Sequence, residues 1–314
     1  MGPAGIGMAA AAAAAAMVSS PIEAPGPSGP LKGVLLAPAE RAGVPLVLIV
    51  PGSGPTDRDG NSPLGIAAAP YRLLAEALAE RGVASARIDK RGMFGSAAAA
   101  ADANAVTVGD YAKDVGAWVA MLRRETGVRC VWLAGHSEGG LVAAASARGE
   151  GVCGAILIAA AGRPLGQVLR EQLRANPANA PILPDAEAAI TALEAGKRVD
   201  VAAFHPALQN LFSPAIQPFL IDLFSHDPAA LLRGYERPLL VVQGENDLQV
   251  STGDARLLAA ANPAARLVLL PGVNHVLKEA PADRAANAAS YANPKLPLAP
   301  GIADAIAEFV KRPR

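Results

Sequence analysis

The sequence predicts an α/β fold, a largely parallel sheet with helices on both faces, and three observations carry that prediction. Short apolar runs alternate with amphipathic helical patterns through the first half of the chain. The alternation stops at residue 163, gives way to almost wholly helical sequence as far as residue 237, and then resumes. Of the 314 residues, 52% are hydrophobic, enough for one large core. The organisation expected is a body of residues 31–162 and 238–314, a helical cap of residues 163–237, and an N-terminal segment, 1–30, outside the body.

Within that segment, residues 8–18 form an alanine-rich apolar run, followed by Ser19, Ser20 and Pro21 and a Pro/Gly-rich stretch. This has the shape of a secretory signal peptide, although the first basic residue is Lys32; the alternative is an unstructured alanine-rich tail. The reading leans to a periplasmic or secreted protein, with a cytoplasmic one as the alternative.

In the body, "LKGVLLAP" and "VPLVLIVPG" read as strands. The stretch "PYRLLAEALAERGV" sets Leu73, Leu74, Leu78 and Val83 at helical spacing, with Gly82 as a stop signal. A short strand, "ASARIDKRG", ends in charge. Residues 108–124 place Tyr111, Val115, Trp118, Val119 and Leu122 on one helical face. Then follow "CVWLAG" (strand), "GGLVAAASA" (helix) and "GAILIAAAG" (strand). The insert contributes "LGQVLREQL", "PDAEAAITALEAGK" and "SPAIQPFLIDLF" as helices. After it come "PLLVVQG" (strand), "GDARLLAAAN" (helix), "ARLVLLPG" (strand) and a closing helix at "IADAIAEFV". Cys130 and Cys153 each stand just before an apolar run. If those runs are neighbouring parallel strands, the two thiols come within disulfide reach; two buried free thiols are the equal alternative.

Charge narrows the function classes. Lys plus Arg and Asp plus Glu both number 28, so no basic field for nucleic acid exists. No apolar run reaches the length of a membrane span. A small-molecule substrate is the partner that fits.

Functional side chains of parallel sheets gather where strands end. "GHSEGG" follows the strand "VWLA" and leads into a helix, which sets Ser137 in a G-x-S-x-G elbow, with a plain turn serine as the alternative. A serine hydroxyl needs a base. Of four histidines, His136 lies in the elbow with its side chain directed away from Ser137, and His205 and His226 fall in the insert. His275, after the last strand, is the candidate base, against a surface-loop histidine. The acid that would orient it is Asp247 in "QGENDLQV", with Glu245 as competitor. The order Ser137, Asp247, His275 is that of a serine hydrolase built on such a sheet. The glycine-rich loop "VPGSGPTDRDGN" supplies a candidate oxyanion donor, the Ser53 N–H, and the elbow helix supplies the Glu138 N–H. The loop lacks the patterns of nucleotide-phosphate loops. The Glu138 carboxylate would oppose an oxyanion, so its side chain is expected to turn away and pair with Arg58 or Arg91, or else to face solvent.

With "GSGPTDRDGN", "DKRG", "GHSEGG" and "QGENDLQV", the chain resembles the α/β-hydrolase superfamily. Within it, the chain looks like bacterial EstD-type carboxylesterases, close to the serine-aminopeptidase-like group, over roughly residues 31–310. The resemblance implies an eight-stranded, mostly parallel sheet with a helical cap, no metal, no organic cofactor, and hydrolysis of short acyl esters by Ser137, Asp247 and His275. It departs at Phe94, where such sequences usually carry glycine. Leu211, Phe212, Phe219, Leu223 and Phe224 in the cap are expected either to line the substrate cavity or to pack the cap onto the body. Thioester or amide hydrolysis and acyl transfer would use the same residues, and a non-catalytic ligand-binding relative is the rival from another class. A dehalogenase or epoxide hydrolase would carry aspartate at Ser137.

Overall fold

Eight strands build one sheet in the order β1-β2-β4-β3-β5-β6-β7-β8 in the computed structural model, which describes residues 16–40 and 43–312. The strands are β1 Met17–Ala24, β2 Leu31–Pro38, β3 Leu46–Val50, β4 Ala84–Ile88, β5 Val131–His136, β6 Val152–Ile158, β7 Leu239–Gly244 and β8 Arg266–Leu270. β1 and β2 pair antiparallel, as do β2 and β4; every pairing from β4 onward is parallel. The sheet therefore sends the chain ends of β3, β5, β7 and β8 to one edge.

Period-two alternation divides the core. In β3, Leu46, Leu48 and Val50 face one layer, and Val47 and Ile49 face the other. Helices α2 (Val108–Thr126), α3 (Glu138–Ser146) and α9 (Thr252–Ala260) cover the first face. Helices α1 (Pro70–Glu80) and α11 (Ile302–Lys311) cover the second through Leu74, Leu78, Ile302 and Ile306. The face expected of α2 is buried throughout, Tyr111, Val115, Trp118, Val119 and Leu122 included. A reciprocal Thr107–Asp110 capping box starts that helix, and Gly127 at φ 73° stops it.

Between β6 and β7 run helices α4 (Leu165–Arg174), α5 (Leu183–Glu194), α6 (Pro206–Leu211), α7 (Gln217–Phe224) and α8 (Pro228–Leu232). They hold their own apolar cluster, including Ile190, Leu193, Leu208 and Phe212, which meets the body at Val108 and Leu141. Helix α10 (Arg284–Ala289) precedes α11.

The N-terminal expectation needs correcting. The sheet begins at Met17 rather than at Leu31: β1 pairs with β2 residue by residue, from Met17 opposite Pro38 to Ala24 opposite Leu31. Ser19, Ser20 and Pro21 lie inside that strand. β1 is an edge strand with mostly exposed side chains, so it lacks the clean apolar alternation by which buried strands announce themselves. Most of the alanine-rich run, residues 8–15, lies outside the described residues. Among the described residues no helix is long and apolar enough to cross a membrane.

Cys130 and Cys153 are joined by a disulfide with a Cα–Cα distance of 5.1 Å, because β5 and β6 are adjacent and parallel and start at the same height. The bridge closes a loop with a sequence separation of 23. A crosslink of that span stabilises by about 3 kcal/mol in the chain-entropy account. Thiol titration of the unreduced, denatured protein is expected to find no free thiol, and the Cys130→Ser/Cys153→Ser variant is expected to melt at lower temperature. Two titratable thiols without reductant would contradict the pairing.

Candidate active site

The backbone of Ser137 is held at φ 54°, ψ −122°, a conformation disfavoured for any residue with a Cβ. The turn from β5 into α3 can reach it only because its neighbours are bare. A Cβ on Gly135 would stand 2.0 Å from the Gly139 carbonyl oxygen, and one on Gly139 would stand 2.3 Å from that of Val50. Ser137 is half-buried, and its Oγ has no hydrogen-bond partner among the described residues.

His275 follows β8 in a tight loop. Asn274 accepts from the Lys278 N–H at 3.0 Å and donates to Asn287 and Ser290, which fixes the loop from below. The loop after β7 is tied to it where the Asn246 N–H donates to the Val273 carbonyl at 2.9 Å. Glycine is required here too: a Cβ on Gly244 would lie 2.2 Å from the Val273 oxygen. This brings Asp247 to His275, whose Nδ1 is 2.8 Å from Oδ2. An ionised carboxylate offers only acceptors, so Nδ1 carries the hydrogen, and the neutral tautomer that this bond selects has its lone pair on Nε2. Asp247 also accepts from the Gln249 and Val250 N–H groups and from Gln243 Nε2. Burial opposes its ionisation, but His275 and the two backbone donors outweigh burial and hold the carboxyl below the usual range. Glu245, the competitor, is exposed.

His136 joins the elbow to this loop. Its Nε2 donates to the His275 carbonyl at 2.8 Å, and the two imidazoles lie 4.8 Å apart. Since that carbonyl can only accept, Nδ1 is the acceptor, at 2.9 Å, of the Tyr71 hydroxyl, which itself accepts from the Gly52 N–H at 3.0 Å. The side chain thus turns away from Ser137, as expected, and one hydrogen-bonded line ties the loop after β3, the elbow and the loop after β8. Burial, with the neighbouring His275 next in weight, lowers the His136 pKa to about 3, so the ring stays neutral. Burial raises the Tyr71 pKa, which keeps its proton in place. No sequence motif marks Tyr71. The other two histidines lie elsewhere: His205 caps α6, and His226 stands 3.6 Å from Asp222.

Ser53 and Glu138 both line the cavity that holds Ser137, and the N–H of neither has an acceptor among the described residues. The side chain of Glu138 departs from expectation. Arg58 is taken by Asp89, and Arg91 forms a two-pronged pair with Asp114, both bonds 2.6 Å. The partner of Glu138 is instead Lys90, at 3.3 Å and equally buried.

The cavity measures about 920 Å³. Leu211, Phe219, Leu223 and Phe224 of the insert line it, while Phe212 is packed inside the insert. Phe94 also lines it, 44% exposed, with φ 45°. That left-handed backbone accounts for the glycine usual at this position. Among the described residues no cluster of three His, Cys, Asp or Glu is placed to hold a metal ion.

The model of the serine aminopeptidase S33 family matches residues 65–280, more than half of the chain. Esterase EstD of Thermotoga maritima is 26% identical over 252 residues, which are 79% of this chain and 58% of that protein, so the chain spans little more than half the length of this curated relative. Among solved structures, the α/β hydrolase GrgF of Penicillium sp. sh18 aligns with a TM-score of 0.57 at 20% identity, over 82% of this chain and 91% of that one. Est1E of Butyrivibrio proteoclasticus, with ferulic acid bound, aligns at 0.57 and 17% identity, over 92% and 96%. These structural likenesses show the α/β-hydrolase fold.

The neutral His136 has a thermodynamic consequence. Between its folded pKa of about 3 and an unfolded value of about 6.5, the unfolded chain binds a proton that the native ring refuses, so stability falls as pH drops through that window. From about pH 7 to about pH 4.5, wild type should lose about 2–3 kcal/mol more unfolding free energy than His136→Gln. Equal losses in urea titrations would show that the ring protonates within the fold.

Proposed function

The chain belongs to the serine aminopeptidase S33 family, and from that membership and the site's geometry we propose that it is a carboxylesterase-type serine hydrolase working through an acyl-enzyme. The observation that carries this reading is the 2.8 Å bond from His275 to Asp247, together with the strained elbow conformation of Ser137, whose neighbour His136 donates to the His275 carbonyl. Ser137 is the nucleophile. His275 Nε2 takes the proton as Oγ attacks the acyl carbon, and Asp247 holds the ring in the tautomer that leaves Nε2 free. The Ser53 and Glu138 amides receive the oxyanion. Collapse of the tetrahedral intermediate expels the alcohol, which takes the proton from His275. Water then attacks the acyl-enzyme, passing a proton to His275, and the acid leaves as Ser137 regains its hydrogen.

The helical insert acts as the cap. A cavity of about 920 Å³ exceeds what a short acyl chain fills, so the apolar cap face receives the rest of a neutral ester, while the acyl part stays short, as the likeness to EstD-type esterases implies. An aminopeptidase would need a carboxylate for the substrate's free ammonium. Among the described residues, the only acidic one lining the cavity is Glu138, which is already paired with Lys90, and this favours esters over peptides.

Two measurements test the reading. Asp247→Asn should lower kcat by about 10⁴-fold, whereas Glu245→Gln should stay within about threefold of wild type. The reverse pattern would move the acid to Glu245. Among p-nitrophenyl esters, kcat/KM should peak at acetate or butyrate and fall towards palmitate, and the matching anilides should turn over far more slowly. Turnover confined to palmitate would contradict the short-acyl assignment, and preferred turnover of aminoacyl anilides would make the protein a peptidase.

A further inference from the structure

We propose that Lys90 is the positioning residue of the oxyanion site: its ammonium sets the direction of the Ser53 amide and offsets the charge of Glu138. The proposal rests on the esterase reading above.

Lys90 lies two residues past β4 and is 5% exposed. Its Nζ donates to the Gly52 carbonyl at 2.7 Å and to Glu138 Oε1 at 3.3 Å, and it stands 5.3 Å from the centre of the Tyr111 ring. The Gly52 carbonyl and the Ser53 N–H belong to one planar trans peptide, so they point in opposite directions. A cation that holds the oxygen therefore aims the N–H away from itself. On the other flank the Gly52 N–H is held by Tyr71 at 3.0 Å, so both sides of Gly52 are pinned. This strip lies against the elbow: a Cβ on Gly52 would be 3.2 Å from the Ser137 Cβ. A cation on the carbonyl oxygen also polarises the peptide and strengthens its N–H as a donor.

The second contact answers the difficulty that Glu138 raises. Its N–H is the other oxyanion donor, yet its carboxylate is 2% exposed, and Oε2 has no hydrogen-bond partner among the described residues. Unopposed, that charge would disfavour an oxyanion forming at the amide of the same residue. Lys90 thus touches both donor residues, through a carbonyl on one and a carboxylate on the other. Stability alone does not account for the pair, because a buried ion pair is often no more stabilising than apolar residues of the same volume.

Lys90→Met alone leaves Glu138 unpaired in the interior, where loss of folding is expected. The decisive variant is therefore Lys90→Met/Glu138→Gln, which removes both charges, with Lys90→Arg beside it. Each is compared with wild type by thermal melting, by kcat and KM on p-nitrophenyl butyrate, and by the inhibition constant of a trifluoromethyl ketone, which becomes an oxyanion when a serine adds to it. The folded double variant should lose about 10²–10³-fold in kcat with KM within about threefold, and inhibition should weaken by a similar factor. Lys90→Arg, which keeps the charge, should recover part of both losses. A double variant with wild-type kcat and inhibition would overturn the proposal, since Lys90 would then only balance Glu138. So would a raised KM at unchanged kcat, which would make Lys90 a substrate contact. A wild type that neither hydrolyses esters nor binds the ketone would overturn the esterase reading itself.

Discussion

Everything at this site depends on one backbone constraint, the passage from β5 into α3 through Ser137 at φ 54°. The constraint lifts a hydroxyl to the edge of the sheet and leaves the first amide of α3 unpaired beside it. It also dictates what surrounds it. Gly135 and Gly139 are bare because any side chain would enter the facing backbone, and α3 can pack against both β5 and the end of β3 with the loop that follows it for the same reason. A strain of about 1–3 kcal/mol is typical of such positions and persists only where neighbours over-determine it.

The neighbours that do so are polar and buried. Two chains of contacts meet at Gly52: Tyr71, His136 and the His275 carbonyl on its N–H side, and Lys90 with Glu138 on its carbonyl side. The segments that follow four strands, β3, β4, β5 and β8, are thereby held in register, and burial keeps the His136 ring neutral and the Tyr71 hydroxyl protonated. A neutral His136 is essential to that arrangement, because a protonated ring could not accept from Tyr71 while donating to His275. A preorganised set of donors of this kind is what stabilises charge without rearrangement during reaction.

Much of this was legible in the sequence because it is written in local pattern. The alternation of apolar runs with amphipathic helices marks the sheet, and the glycines around Ser137 mark the elbow. The loops holding Asp247 and His275 could be read from their position after strands. Of Asp247 and Glu245, two residues apart, Asp247 is the one whose carboxylate lies 2.8 Å from His275 Nδ1, with the Gln249 and Val250 amides wrapped around it. What was not legible is long-range. Lys90, Arg91 and Arg58 are chemically similar, and which of them meets Glu138 depends on Asp89 and Asp114 claiming the two arginines first. Tyr71 reads only as a core position of α1. Strand β1 is hidden by its exposed side chains, since an edge strand needs hydrogen bonds to β2 more than an apolar face.

The most direct test of the central claim is covalent. Wild type and Ser137→Ala should be treated with a fluorophosphonate, and the modified residue located by peptide mass mapping. One phosphonyl group per wild-type chain is expected, on Ser137, with none on the variant. A folded wild type that takes up no label, or carries it on another residue, would contradict it.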